Sequence, residues 1–148
     1  GKVRMVYRLL LLVVIGVGLT ACGQLLEGLG GPRTARYEVS VENEVQTHIP
    51  LEAGDRVDIT ASGTKRFGVF AGVGGPDGID GFAIFNKVSS GKHGCLLARV
   101  AGSTEWNVVG AKGAFVAGTA GLLELTVNDT ATADNEGTFQ VKVKVTKG

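Results

Sequence analysis

The chain has 148 residues, enough for one domain and a short leader, and its composition of 44% hydrophobic and 20% charged residues is that of a protein with a real core. Of its 15 basic residues, three (Lys2, Arg4 and Arg8) precede an apolar run, which leaves 12 against 14 acidic residues. No dense Lys/Arg cluster follows, so the electrostatic footprint that holds a phosphate backbone is missing and no nucleic-acid partner is expected.

The N-terminal segment has the composition of a secretory signal. Met5 is the expected start, Arg8 supplies the positive charge, and an apolar stretch covers residues 9–19. That stretch is too short to span a membrane, because a spanning helix needs about 20 apolar residues. We therefore expect a signal helix in front of the folded domain.

The apolar stretch ends in Leu19-Thr20-Ala21-Cys22, followed by Gly23. This ending resembles the lipobox of bacterial lipoproteins. The resemblance implies that residues 1–21 are removed and that Cys22 carries the lipid that holds the protein on a membrane. An uncleaved anchor or an ordinary signal is the alternative. Gly23, in place of an Asp, implies a location in the cell envelope, at the outer membrane if the cell is Gram-negative.

Residues 22–36 are expected to form a lipidated, Gly-rich tether, and residues 37–148 the domain. Cys95 is then the one thiol left in the domain. Its apolar neighbours predict a buried and unreactive side chain, because buried Cys behaves as a small hydrophobe.

From Tyr37 onward apolar and polar residues alternate, which puts one face of each strand on a core and the other in water. Gly-rich turns separate the runs, and no segment has helical apolar spacing over three turns. The pattern predicts an all-β domain, an antiparallel β-sandwich. The predicted strands cover residues 37–41, 45–49, 57–61, 95–100, 106–109, 122–128 and 139–145.

Two segments interrupt the alternation, 63–81 and 128–137. The first contains the turn Gly75-Pro76-Asp77-Gly78, in which Pro fixes φ and Gly accepts a positive φ. The second connects the last two predicted strands. Loops of this length in a compact domain are functional or mobile.

The second interruption is rich in oxygen donors: Asp129, Asp134, Asn128, Asn135 and two threonine hydroxyls. Calcium takes about 6–8 oxygen ligands from carboxylates, amides and backbone carbonyls. The EF-hand pattern is absent. The spacing alone leaves two interpretations, a calcium site and a solvated hairpin loop made of good turn formers.

Four stretches together resemble the calcium-dependent galactophilic lectins of bacteria, the PA-IL-like family. They are residues 53–60 (AGDRVDIT), 61–68 (ASGTKRFG), 94–100 (GCLLARV) and 121–137. The resemblance extends over roughly residues 38–145. It implies a galactose-binding-like β-sandwich of the jelly-roll type that binds calcium and a carbohydrate.

Matched residue by residue, the resemblance implies a set of calcium ligands. Asp129 and Asp134 would supply carboxylate oxygens, Asn135 its side-chain carbonyl, and Thr132 and Phe67 their backbone carbonyls. Asp134 replaces an Asn of the family, and the loop is one residue shorter. Vicinal hydroxyls of the sugar complete the calcium shell in these lectins, so the four loop residues of this set are also the expected ligand-binding residues.

The family's galactose contacts, a His and a Gln, have no counterpart in the corresponding segment 77–89, where Phe82, Phe85 and Asn86 stand instead. Galactose specificity is therefore not expected. Either Phe could stack on a sugar, but Phe is usually a core residue. We expect both in the core, and Trp106 as well.

No enzymatic motif stands out. His93 lies close in sequence to Cys95, but no orienting acid or oxyanion-hole motif adjoins them, and His93 is expected at a surface turn. Zinc sets, phosphate loops and nucleotide fingerprints are missing. Asp129 and Asp134 share one loop without an evident cleft, unlike a glycosidase pair. We expect a calcium-dependent carbohydrate-binding module and no enzyme. The alternative is an envelope structural or protein-interaction lipoprotein that uses calcium only to stabilise its fold.

Overall fold

The computed structural model describes residues 5–8 and 33–148. The apolar stretch 9–19, Cys22 and residues 23–32 lie outside the described residues. None of the helical turns in these described ranges has the length and hydrophobicity of a membrane span. The strands are β1 Met5–Arg8, β2 Thr34–Val41, β3 Val45–Leu51, β4 Arg56–Ser62, β5 Lys65–Phe67, β6 Val73–Gly74, β7 Leu96–Val100, β8 Asn107–Val108, β9 Lys112–Val116, β10 Gly121–Val127, β11 Asn135–Gly137 and β12 Phe139–Thr146.

The expected antiparallel β-sandwich is confirmed. One sheet has the order β1-β2-β12-β4-β9, and the other has the order β3-β10-β7-β8. Strands that follow one another in sequence mostly change sheets, from β2 to β3 to β4 and from β9 to β10 to β12. Each run of alternating residues therefore packs its apolar face against the opposite sheet.

The core lies between these two sheets. From the five-stranded sheet it takes the inward residues of β2, β4 and β12, and from the four-stranded sheet those of β3, β7 and β10. Val143 and Leu125, for example, are each about 1% exposed or less. Within residues 33–148, every residue of this core lies between Val39 and Val145.

The N-terminal boundary of the domain differs from the prediction. β2 begins at Thr34, so residues 34–36 belong to the sheet and not to the tether. Residues Met5–Arg8, which the sequence assigns to the basic start of the leader, pair antiparallel with β2, from Met5 opposite Val39 to Arg8 opposite Arg36.

A small third sheet, β11-β5-β6, closes one end of the sandwich. Its strands come from the two segments that interrupt the alternation, and their pairing brings these segments together. Asn135 lies opposite Phe67, and Gly137 lies opposite Lys65. A short 3-10 turn, Thr132–Asp134, leads directly into β11.

The other predicted strands are present. That at 106–109 is reduced to Asn107–Val108, and β9 was not predicted. β9 is an edge strand whose residues Lys112–Val116 are half-buried or exposed. The sequence of such a strand shows little alternation of apolar and polar residues, which is the pattern that indicates a core-facing strand.

Candidate functional site

Asp129 is the buried centre of the loop 128–135. It lies two residues after the end of β10 and is 2% exposed. Its Oδ1 accepts the Ala131 backbone N–H at 2.8 Å, and its Oδ2 accepts Asn135 Nδ2 at 2.9 Å. Both donors are neutral. The loop therefore curls around a carboxylate that its own hydrogen bonds hold in place.

Asn135 connects this carboxylate to β5. Its backbone is fixed opposite Phe67 by the β11–β5 pairing, and its Nδ2 reaches Asp129 and, at 3.5 Å, Asn43 Oδ1. Its Oδ1 is buried and has no hydrogen-bond partner. A buried carbonyl oxygen without a donor is rare and costs free energy, and an ion is one of the groups that satisfy such an atom.

Asp134 and Thr132 lie on the outer side of the loop. Asp134 is exposed, and its carboxylate packs on the backbone of Gly68, where an added Cβ would lie 2.6 Å from Oδ2. Gly68 has φ +97°, a conformation that favours glycine. The Thr132 carbonyl accepts the Asn135 N–H, so one of its two lone pairs is in use. The five expected ligand residues thus lie along one short stretch of loop and its β5 neighbour.

Asn128 does not belong to this set, although the sequence groups it with the oxygen donors. Its amide is fully buried and faces the segment 86–93 on the other side of the loop. Oδ1 accepts the N–H groups of Lys87 (2.7 Å) and Val88 (2.9 Å). Nδ2 donates to the carbonyls of Val88, Gly91 and Lys92. Asn128 is therefore a structural residue that holds the segment 86–93 against β10.

The expectation of a surface His93 is wrong. The residue is 3% exposed, because Asn128 draws its segment onto the sheet. His93 Nδ1 lies 2.8 Å from Asn86 Oδ1, and Asn86 Nδ2 donates to the Gly91 carbonyl at 3.3 Å. The amide orientation makes Nδ1 the donor of this pair. Nε2 then faces Asp129 Oδ2 at 3.7 Å.

Sequence reasoning missed His93 because its burial depends on contacts with residues far away in the chain. The ring packs edge-on against Phe67, with centroids 5.7 Å apart. Behind Phe67, Gly94 leaves no room for a side chain, because a Cβ there would overlap the Phe67 ring. The segment 91–94 has no periodic pattern that indicates either contact.

Lys65 is a second residue that the sequence did not single out. It is 1% exposed, and its ammonium donates to the Gly137 carbonyl at 2.8 Å. Burial lowers the pKa of Lys65, an effect that the negative charges of Glu42 and Asp129 oppose. Lys65 therefore adds positive potential near the loop without a hydrogen bond to Asp129.

Cys95 agrees with expectation. It is a buried free thiol, and burial raises the pKa of the Cys95 thiol to about 11. A thiol needs a lowered pKa to act as a nucleophile near neutral pH. Cys95 thus packs as a hydrophobe beside His93.

The expected core positions of three aromatic residues are wrong. Phe82 and Phe85 are 38% and 41% exposed; Phe82 precedes a second 3-10 turn, Ala83–Phe85, and Phe85 is its last residue. Phe82 has φ +58°, a conformation that is a true outlier for a bulky residue. Trp106 is half-buried on the outer face of the four-stranded sheet, where the Arg99 guanidinium stacks on it at 4.1 Å. In each case hydrophobicity was a poor guide because the residue lies outside an alternating strand.

No group of three or more His, Cys, Asp or Glu side chains in residues 5–8 and 33–148 is arranged to hold a metal ion. A cation at the loop 128–135 would therefore depend on the Asn135 amide and on backbone carbonyls as well as on carboxylates. Such a mixed oxygen set suits calcium better than a transition metal.

The domain has a lectin-like fold. A solved structure described as the N-terminal domain of EclA, a PllA-like lectin, is similar to it with a TM-score of 0.57 and 26% identity, over 74% of this chain and 94% of that chain. No protein-family model and no curated protein matches the chain. The similarity favours a binding domain over an enzyme.

Proposed function

We propose that this protein is a carbohydrate-binding module whose ligand site is completed by a calcium ion at the loop 128–135. The observation that carries the proposal is Asn135 Oδ1, a buried oxygen without a partner. It belongs to a side chain that already contacts Asp129 and lies opposite Phe67. The lectin-like fold supports the carbohydrate as ligand.

The donor set fits calcium in number and kind. Asp129, Asp134 and Asn135 would supply side-chain oxygens, and Phe67 and Thr132 would supply backbone carbonyls. Calcium takes about 6–8 oxygens, so five protein ligands leave about one to three positions, and a sugar with two neighbouring hydroxyls would need two of them. When bound, the ion supplies a positive centre to which two neighbouring hydroxyls of a sugar can bind.

The chain's own residues would orient the carboxylate for this role. The Ala131 N–H holds Asp129 Oδ1 at 2.8 Å, and the ring of His93 limits the movement of Oδ2 from the buried side. Asp129 Oδ2 and Asn135 Oδ1 would hold the ion, which would supply the positive charge that the buried carboxylate lacks among its hydrogen-bond donors.

Attachment to a membrane through a lipid on Cys22 is the second part of the proposal. The tether would enter the domain at Thr34, which pairs with Thr146. The other end of β2 is followed by Asn43, which contacts Asn135. A strand of this length spans roughly 26 Å. The ligand site would therefore face away from the membrane that carries the lipid.

Calcium titration of residues 22–148 carrying Cys22→Ser tests the cation, and a glycan array with and without chelator tests the ligand. We expect one calcium per chain, lost in Asp129→Asn. The matched control is Asp80→Asn, which removes the same charge from a side chain that is 91% exposed. Calcium binding without any chelator-sensitive glycan signal would favour the structural alternative, and no calcium binding at all would refute the site.

A further inference from the structure

Lys65 carries a buried charge next to the candidate site. It is 1% exposed, and lysine is almost never buried this fully unless a group of opposite charge accompanies it. Its ammonium donates to the Gly137 carbonyl at 2.8 Å and lies 5.9 Å from the centre of the Phe139 ring. Both are neutral groups, and none of the ion pairs in the part of the chain that the structure describes includes Lys65. Its positive charge is therefore not cancelled by a direct contact.

The position of Lys65 follows from the small sheet that carries two of the expected calcium ligands. Lys65 and Phe67 are both buried on one face of β5, with the exposed Arg66 between them. In the pairing with β11, Lys65 lies opposite Gly137 and Phe67 lies opposite Asn135. Alternate residues of a strand are about 7 Å apart along it. Lys65 is therefore a near neighbour of the candidate calcium site and not one of its ligands.

The charge of Lys65 acts on the candidate ligands. Burial lowers the pKa of Lys65, and the carboxylates of Glu42 and Asp129 oppose this shift because they attract the ammonium. Coulomb interactions are reciprocal, so the ammonium stabilises the Asp129 carboxylate when no ion is bound and repels a cation that binds there. Water and salt screen this repulsion little, because Lys65 is 1% exposed and Asp129 is 2% exposed.

We propose that Lys65 weakens calcium binding at the loop 128–135, so that the site fills only where calcium is abundant, as it is outside cells. This role of Lys65 rests on the proposed calcium site. Calcium affinity depends on the charge of the ligand set, and Lys65 offsets one of the two negative charges that Asp129 and Asp134 supply. We expect a dissociation constant on the order of 10⁻⁴ M, which is in the range of extracellular calcium modules and above that of intracellular sensors.

Lys65→Met tests the charge. The substitution removes the ammonium but keeps a long, flexible apolar side chain in the buried position. The protein is residues 22–148 carrying Cys22→Ser, which include every core residue from Val39 to Val145. Titration calorimetry should show about tenfold tighter calcium binding in Lys65→Met than in this parent chain.

A purely structural role of Lys65 would have the opposite sign. Loss of the hydrogen bond to the Gly137 carbonyl would loosen β11, which holds Asn135, and would weaken calcium binding. Lys65→Gln keeps a hydrogen-bond donor at this position without the charge. This second variant should also bind calcium more tightly than the parent chain, and it serves as the test if Lys65→Met does not fold.

Terbium gives a second reading, because this trivalent ion is close to calcium in size and in its preference for oxygen ligands. Coulomb repulsion scales with the charge of the ion, so Lys65→Met should tighten terbium binding more than calcium binding, by about thirtyfold. The control is Lys142→Met, which removes the same charge from an exposed side chain of β12. Because exposed charges are screened, this control should change either affinity by less than about twofold.

Equal affinity in the parent chain and both Lys65 variants, weaker binding in both variants, or the same gain for calcium and terbium would each overturn this role of Lys65 and leave the calcium site intact. Equal tightening in Lys142→Met would also overturn it, because the total charge of the domain would then be the cause. Measurable calcium binding by Lys65→Met alone would support it. No calcium binding in any of these proteins would refute the proposed site itself, and this role with it.

Discussion

Asp55 and Asp129 are buried to the same extent, 2% exposed each, at opposite ends of the sandwich, but their partners differ. Asp55 Oδ2 accepts the Glu52 N–H at 2.8 Å and the Lys147 ammonium at 2.9 Å. Asp129 accepts two neutral N–H groups. A buried carboxylate is costly unless a positive charge compensates it. Burial by itself thus does not distinguish the two carboxylates, whereas the partners of their hydrogen bonds do, because only Asp55 accepts one from a cationic side chain.

Adding calcium should give the largest difference between Asp129 and Asp55. At a hundredfold excess over its dissociation constant, an ion that binds only the folded state raises the free energy of unfolding by about 2.7 kcal/mol. For a domain of this size the melting temperature should rise by roughly 10 °C. The rise should be absent in Asp129→Asn and present in full in Asp55→Asn, as measured by calorimetry with and without chelator.

An equal rise in both variants would show that calcium binds elsewhere. Magnesium is the control ion, since it demands a smaller and more regular oxygen cage than calcium. We expect magnesium to raise the melting temperature far less.

In the absence of calcium, Asp55→Asn should destabilise the fold more than Asp129→Asn does. Asp55→Asn removes the nearer of the two carboxylates around the Lys147 ammonium, since Glu52 Oε2 lies 3.7 Å away. It should lower the free energy of unfolding by about 2 kcal/mol, a value below that of a fully buried pair because Lys147 is 41% exposed. Asp129→Asn weakens two hydrogen bonds to the carboxylate but also removes the cost of burying its charge. Because these effects oppose each other, the substitution should change the free energy of unfolding by less than about 0.5 kcal/mol. Urea unfolding in chelator measures both, and equal losses would contradict the comparison.

The sequence predicted the sandwich well because its core strands alternate. β12, for example, has Val141 and Val143 buried and Lys142 exposed, and this alternation is visible in the letters alone. The same rule could not predict β5, which buries Lys65, or β11, which forms only because Asn135 pairs with Phe67 from a distant segment.

The candidate site was predictable in part. The resemblance named Asp129 and Asn135, and the structure brings their side chains together. The burial of His93 could not be predicted, because it follows from the way Asn128 holds the segment 86–93. The exposure of Phe82 could not be predicted either, because this residue lies outside any alternating strand. Hydrophobicity assigns a residue to the core only where a strand or helix already fixes which face it occupies.

Acid should remove the stabilising contribution of Asp55. Burial alone would raise the pKa of Asp55, but the hydrogen bonds from Glu52 and Lys147 outweigh it and hold that pKa below its ordinary value. A carboxyl group with a lowered pKa in the folded state stabilises the protein above its unfolded pKa of about 3.9. That contribution is lost as pH falls through the folded pKa.

The unfolding free energy of the parent chain should therefore fall between about pH 5 and pH 2 by more than that of Asp55→Asn, with the 2 kcal/mol above as the upper limit. Lys147 affects stability at alkaline pH instead. Its hydrogen bond to Asp55 raises the pKa of Lys147, so the pair remains charged until the pH exceeds the ordinary lysine value of about 10.4. If the unfolding free energies of the parent chain and Asp55→Asn fall equally with decreasing pH, the pairing of Asp55 with Lys147 would be contradicted.

The smallest effect concerns Asp134, the exposed carboxylate at the edge of the loop. In Gly68→Ala the new Cβ would lie 2.6 Å from Asp134 Oδ2, and residue 68 has φ +97°. Gly72→Ala has the same backbone penalty at φ +82° but meets nothing within 4 Å. Each substitution should cost about 1 kcal/mol of stability. Only Gly68→Ala should also weaken calcium binding, by about fivefold or 1 kcal/mol, because it displaces one oxygen ligand. Titration calorimetry of both variants isolates this difference. Unchanged affinity in Gly68→Ala would remove Asp134 from the calcium site and leave Asp129 and Asn135 as its only side-chain ligands.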